Sequence, residues 1–360
     1  MNIKNLKFFL KFRRSYPKKS VTAGFTLIEL LVALLIASLI ISALLSLVVD
    51  LLQVDRREAS RTETQREMQM ALNYITSELR EAVYVYDGNC FQKTGQGNIT
   101  TTSGVTTVDP NYCPGWENHL PIDSFTNQTP VLAFWKPETI IDGNIPDLST
   151  CTGTTAQECK DLRVKRRVYT LVVYLQSTDK SDNKWQGKSR ITRYALSKYK
   201  NLPTELEQSA GYVDPSLEDG TSFQTWPRNS KGDNLQKGTT AQRLSDMALN
   251  APDVLVDFVD DPDATDVKVP ECDTSKNYIR SPKTTINTTT ATTSFNSFFA
   301  CVRTVVPTTT SVIVPSGINQ DVVLYLRGNA NGRPGVSNDG FRPVLQTQVL
   351  VRGVVNKIPE

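Results

Sequence analysis

Residues 24–49 read GFTLIELLVALLIASLIISALLSLVV, and the reading of this stretch decides the fold. From Phe25 to Val49 it contains no Gly, no Pro and one ionisable side chain, Glu29. An unbroken helix of that length, rising about 1.5 Å per residue, covers roughly 37 Å, more than the ~30 Å hydrocarbon core of a bilayer. Residues 25–49 are therefore read as a transmembrane helix. Upstream, residues 1–24 form a basic leader in which Lys4, Lys7, Lys11, Arg13, Arg14, Lys18 and Lys19 are accompanied by no acid. The positive-inside rule then leaves the N-terminus in the cytoplasm and places everything after Val49 on the far side. A secretory signal peptide would need a small-residue cleavage site after the apolar run; here the run continues into charged chain at Asp50 and Asp55.

Glu29 is the anomaly. A charged side chain at the centre of a span costs about 2.5–3.5 kcal/mol on insertion scales, and somewhat less toward an end, so this carboxylate needs a partner. Cleavage between Gly24 and Phe25 would supply one, because the new α-ammonium of Phe25 would lie at the same depth, within reach of Glu29 on an adjoining copy. The basic leader followed by Gly24, Phe25, Thr26, Leu27, Ile28, Glu29, Leu30, Leu31 and Val32 resembles the prepilin processing and methylation motif of type IV pilins and type II secretion pseudopilins. The resemblance implies a prepilin peptidase that cuts after Gly24 and N-methylates Phe25. It also implies an inner-membrane assembly platform as partner, and bundling with other pilin or pseudopilin subunits, with Glu29 as the assembly residue. The leader is longer than in the best-known major pilins, and the span lacks their helix-breaking Pro. Ser38, Ser42 and Ser46 stand at four-residue spacing instead, read as bonding back to carbonyls four residues earlier rather than as a face for close helix approach. Both departures point to a minor pilin or pseudopilin.

The formal charge of +3 includes seven leader cations, so the chain beyond Gly24 carries −4, and bulk charge gives no reason to expect a nucleic-acid partner. Six cysteines, Cys90, Cys113, Cys151, Cys159, Cys272 and Cys301, all follow the span, in a compartment where disulfides persist. Sequence order suggests Cys90 with Cys113, Cys151 with Cys159, and Cys272 with Cys301, although six cysteines allow fifteen connectivities. His119 is the single histidine, too few for a zinc site of usual composition. No nucleophile elbow, P-loop, HExxH or dinucleotide fingerprint occurs, so neither an enzyme nor a cofactor is expected. Asp257, Asp260, Asp261, Asp263 and Asp266 offer hard-oxygen ligands for Ca²⁺, but without EF-hand spacing a solvated acidic loop is the preferred account. Arg163, Lys165, Arg166, Arg167, Arg190 and Arg193 form a candidate basic patch for an anionic polysaccharide. Strand alternation lets only part of that set share a face, and charge that protects a sheet edge explains the same residues.

Residues 50–87 are read as a continuation of the helix, bringing it to about sixty residues or ~90 Å. Its far end carries an apolar stripe, Met68, Leu72, Ile75, Leu79 and Ala82. Residues 88–360 form an extracytoplasmic, β-rich domain. Strands are expected at Val83–Tyr86, Pro130–Lys136, Arg166–Gln176, Arg190–Leu196, Val254–Val259, Asn296–Val306, Asp321–Arg327 and Val344–Val355. Two hairpins join the third to the fourth and the last two. Residues 199–250 are read as a surface excursion with a short helix at 241–249. The fold class is α+β: a long N-terminal helix packed on one antiparallel sheet, pilin-like, with disulfide-braced loop excursions.

The stretch VVYLQ…ITRYAL resembles the minor pilin W and pseudopilin J group. AVYVYDG, VLAFWKPE and VVLYLRGNA resemble cyanobacterial pseudopilins assigned to hormogonium polysaccharide secretion, which implies a role in polysaccharide export and gliding. The alternatives are a motility-pilus tip subunit, a type II protein-secretion pseudopilin, or, outside fibres, a membrane-anchored adhesin.

Overall fold

The computed structural model describes residues 24–90, 97–103, 105–109, 112–115, 119–120, 127–141, 143, 145, 151, 156–181, 184–200, 202, 206, 208–216, 221–229, 231–236, 252–283, 295–303 and 320–351. The helix expected at 241–249 lies outside them, as does the leader up to residue 23. The chain divides into two compact units, Met1–Asp55 and Arg56–Glu360.

Helix α1, Leu27–Glu81, runs through the end of the first unit and the start of the second. In the first unit its large apolar side chains, from Leu27 to Val54, are all exposed, and the segment is long and apolar enough to cross a membrane. Ser38 Oγ donates to the Leu35 carbonyl at 2.8 Å, three residues back rather than the expected four. In the second unit Ser60, Thr64, Met68, Ala71, Leu72, Ile75 and Leu79 are buried, a stripe at steps of three and four that requires a partner surface. The helix stops at Glu81, short of the expected 87. Ala82 N already bonds back three residues, to Leu79 O at 3.1 Å, and Val83 N turns to Trp135 O at 2.8 Å, so a sheet takes over the backbone.

Eleven strands are described: β1 Tyr84–Val85, β2 Ile99–Thr102, β3 Val105–Val108, β4 Gln128–Thr139, β5 Arg167–Ser177, β6 Ser189–Leu196, β7 Asp253–Val259, β8 Tyr278–Ser281, β9 Phe298–Arg303, β10 Asp321–Arg327 and β11 Val344–Leu350, with a helix α2 at Ala156–Lys165. The architecture is α+β, a long helix on antiparallel sheets. The expected single sheet is two, ordered β1-β4-β5-β6-β7 and β11-β10-β9-β8, beside a small β2-β3 ribbon. The physical reason lies at the end of β7. Pairing with β6 slips between Ser189 and Ile191, and Phe258 adopts a left-handed backbone at φ +59°. The chain then meets β10 through a single bridge, Val259 to Gly328, rather than a ladder. Both expected hairpins are present, β5 with β6 and β10 with β11.

One core lies under α1, where Met68, Ile75 and Leu79 join Phe134, Val172 and Ile191 of the first sheet and Phe298, Val322 and Leu324 of the second. Gly328 permits the approach, since a Cβ there would stand 2.8 Å from Met68 Cγ. A second core covers the opposite face of the five-stranded sheet, where alternate residues Ala133, Trp135, Leu171 and Val173 meet Tyr212, Val213 and Trp226. Residues 199–250 therefore do more than pass over the surface, because their aromatic members roof that face. With both faces covered, β5 reads as an almost continuous apolar run.

The three disulfides follow sequence order: Cys90–Cys113, Cys151–Cys159 and Cys272–Cys301, with Cα separations of 5.4, 6.1 and 5.5 Å. At the margin of the first sheet, the Gln320 side chain accepts from Val85 N at 2.7 Å and donates to Val85 O at 2.8 Å.

Candidate functional site

The N-terminal segment owes its form to Thr26. Its carbonyl accepts from Glu29 N at 3.1 Å and Leu30 N at 3.2 Å, and its hydroxyl accepts from Glu29 N at 3.3 Å, an N-cap that starts the helix at Leu27. Gly24 and Phe25 consequently stay outside the helix. Phe25 is 78% exposed, and a Cβ added at Gly24 would meet nothing within 4 Å. The peptide bond between them thus lies outside the helix, beside an exposed aromatic ring. Glu29 sits in the first turn, exposed among Leu27, Ile28, Leu30 and Leu31. No hydrogen bond or ion pair to its carboxylate is found among the described residues, whereas apolar surroundings in a membrane would demand one.

The same helix carries a second carboxylate of opposite character, which sequence reasoning missed. Glu78 is 6% exposed and accepts from Lys136 Nζ at 2.6 Å, from Arg193 Nη2 at 2.8 Å and Nε at 2.9 Å, and from the Tyr174 hydroxyl. Burial alone would raise its pKa, but the bonds from Arg193, Lys136 and Tyr174 outweigh it, and the carboxyl is held below its ordinary value. Burial, then the adjacent Glu78 charge, drives the Tyr174 phenol well above the usual tyrosine range. The arrangement pins α1 to β4, β5 and β6. A signal was present: Glu78 falls three residues after Ile75, on the flank of the apolar stripe, where a solvent-facing acid is not expected.

The other sequence candidates disperse. Asp257 Oδ2 accepts from Gln186 N and Gly187 N, both at 3.1 Å. Asp260 is fully buried and holds Arg327 Nε at 2.7 Å and Asn329 Nδ2 at 2.6 Å. Asp261 accepts from Asp263 N at 3.0 Å, and Asp266 from Arg342 Nη1 at 2.7 Å. Asp260 and Asp266 meet one cation, Arg342, whose Nε lies 3.6 Å from Asp260 Oδ2, but no metal-holding group of three occurs among the described residues. Arg163 and Lys165 belong to α2 rather than to a strand, Arg193 turns to Glu78, and Arg190 lies by the Trp185 ring and bonds the Asp179 carbonyl. Arg166 follows α2 and the exposed Arg167 opens β5, so the basic set does not form one surface. His119 is buried, its Nδ1 3.1 Å from Gln236 Oε1.

A family model described as the prokaryotic N-terminal methylation motif matches residues 19–45. No curated protein and no solved structure shows a significant match. The matched motif supports a pilin or pseudopilin subunit, anchored by one span, and implies processing by prepilin peptidase and assembly with other pilins.

Proposed function

We propose that the chain is a minor pilin or pseudopilin whose work is mechanical. Prepilin peptidase cuts between Gly24 and Phe25 and methylates Phe25, the precursor waits in the inner membrane with its outer domain in the periplasm, and helix packing then draws it into a fibre. One observation carries this reading: a carboxylate five residues after Gly24 stands in an exposed apolar helix with no partner among the described residues. In the fibre, the Phe25 ammonium of a neighbour neutralises Glu29 and fixes the axial register. The disulfides favour the proposed orientation, since they persist outside the cytoplasm.

Mass spectrometry of the mature N-terminus tests the proposal. Methylated Phe25 is expected; a protein that keeps its leader, or is severed beyond Val49, overturns it. Within the class we place this subunit in polysaccharide export and gliding, on the likeness of AVYVYDG, VLAFWKPE and VVLYLRGNA. Deleting the gene should then reduce exported polysaccharide and leave protein secretion intact. The reverse result favours a type II protein-secretion pseudopilus, and lost twitching with normal export favours a motility-pilus tip.

A further inference from the structure

We propose that Asp50 of one copy pairs with Arg57 of a second copy just past the apolar run, a contact that rests on the fibre reading above and adds a second fixed point to it. Both side chains belong to α1 and both are exposed. Asp50 ends the run of residues 25–49, yet exposed Val48, Val49, Leu51, Leu52 and Val54 flank it on both sides. A carboxylate in that setting loses water when helices bundle, and it then requires a cation.

Among the described residues neither side chain has an ion pair or a hydrogen-bond partner. Helix spacing gives the reason. The positions three and four away from Asp50 are Ser46, Leu47, Gln53 and Val54, and those around Arg57 are Gln53, Val54, Ser60 and Arg61, so neither finds an opposite charge on its own helix face. Asp50 and Arg57 themselves stand 57 − 50 = 7 residues apart, roughly 10.5 Å along the axis, too far to meet within one chain. Glu58 and Arg61, three apart, do pair, at 2.8 Å. Asp50 and Arg57 are thus spaced for another chain.

Height along the helix selects the mate. With the Phe25 ammonium of the second copy beside Glu29 of the first, the second copy is displaced outward by 29 − 25 = 4 residues, or ~6 Å. Its Asp50 then stands level with Val54 of the first copy. Side chains on a helix lean toward its N-terminus, so Arg57 of the first copy, three residues or ~4.5 Å farther out, reaches back to that level. Rotation agrees. Glu29 and Arg57 are 57 − 29 = 28 residues apart, four heptads, and helices packed left-handed at about +20° keep heptad positions on one seam. Arg56 is exposed at nearly the same height but turned ~100° away. Because Phe25 precedes the helix, its pairing sets the neighbour's height, and Arg57 against Asp50 sets its rotation.

The test uses full-length chain in cells, and because each copy supplies both groups, the charges can be exchanged on a single chain. Asp50→Arg or Arg57→Asp alone should lower the amount recovered in sheared fibres about tenfold, the scale of a desolvated charge left without its counterpart, and the two together should restore it. Arg56→Asp should change recovery by less than about twofold. On otherwise native chain, p-benzoylphenylalanine in place of Arg57 should crosslink to a peptide containing Asp50 of a differently tagged, co-expressed copy. Three intact disulfides on non-reducing gels check that each variant is folded; where an exchange fails that check, the crosslink alone decides. Single exchanges without effect, a folded double exchange that does not restore recovery, or a crosslink absent or mapping to another protein, to lipid or elsewhere in the chain each overturn the contact. The fibre reading survives that result if chain with methylated Phe25 still enters fibres in a Glu29-dependent way. Parent chain that keeps its leader and stays out of fibres sinks both.

Discussion

Glu29 and Glu78 occupy one helix, and their surroundings are opposite. Around Glu29 every large apolar neighbour is exposed and no cation among the described residues pairs with it; around Glu78 two cations and a phenol converge at a buried site. In the second unit the Glu78 charge is compensated and the apolar stripe from Met68 to Leu79 is covered. The first is unfinished, in the sense that neither its apolar surface nor its carboxylate has a partner among the described residues. A helix can thus serve folding at one end and association at the other, and its sequence marks the change where LLSLVVDLLQV gives way to DRRE.

Glu29→Ala tests this contrast most severely: assembly should be abolished in sheared-fibre fractions, while membrane insertion and all three disulfides remain normal. Loss of folding instead would erase the distinction between the two ends. Glu78→Ala should do the reverse, destabilising the detergent-solubilised chain by about 3–5 kcal/mol in urea titrations, because Lys136 and Arg193 are left unpaired at a buried site. Ile75→Ala, on the covered stripe, should cost about 3 kcal/mol by the same measurement. An acid titration sharpens the comparison further. The folded pKa of Glu78 lies below its ordinary 4.5, so its contribution is present above that value and lost as pH falls through the depressed folded pKa. Melting temperature should therefore drop below about pH 4.5 in the parent and drop less steeply in Glu78→Gln. At the small end, Glu58→Ala removes an exposed pair with Arg61 and should change stability by less than about 0.5 kcal/mol.

Much of this was legible in the chain. The span, the leader and the GFTLIE signal are local, and local patterns survive without tertiary information. β5, β6 and β10 lie within a residue of expectation, and β11 begins at the expected Val344 but ends at Leu350 rather than Val355, because alternation and apolar runs bounded by turn residues announce strands better than they mark their ends. What failed was whatever depends on distant partners. Glu78 meets Lys136 across 58 residues and Arg193 across 115, and nothing at 78 names those positions. The division into two sheets turns on the backbone at Phe258, whose left-handed conformation an aromatic residue does not advertise. The acids after β7 seemed a metal-holding cluster because they are neighbours in sequence, yet Asp260 is buried against Arg327, Asp266 is exposed, and the group they share is a cation, Arg342. Residues 199–250 read as surface from their polarity, because anchoring side chains such as Tyr212, Val213, Phe223 and Trp226 are scattered among polar residues.

The Gln320 amide, bonded to both the N–H and the carbonyl of Val85, imitates the peptide group of an absent strand. One side chain so placed acts as a terminator, since the main chain of Val85 is closed to any stranger that drifts past. A protein held at high local density in a membrane has particular need of such a stop. Gln320→Ala should reopen that flank, and its signature would be promiscuous clumping of otherwise native molecules.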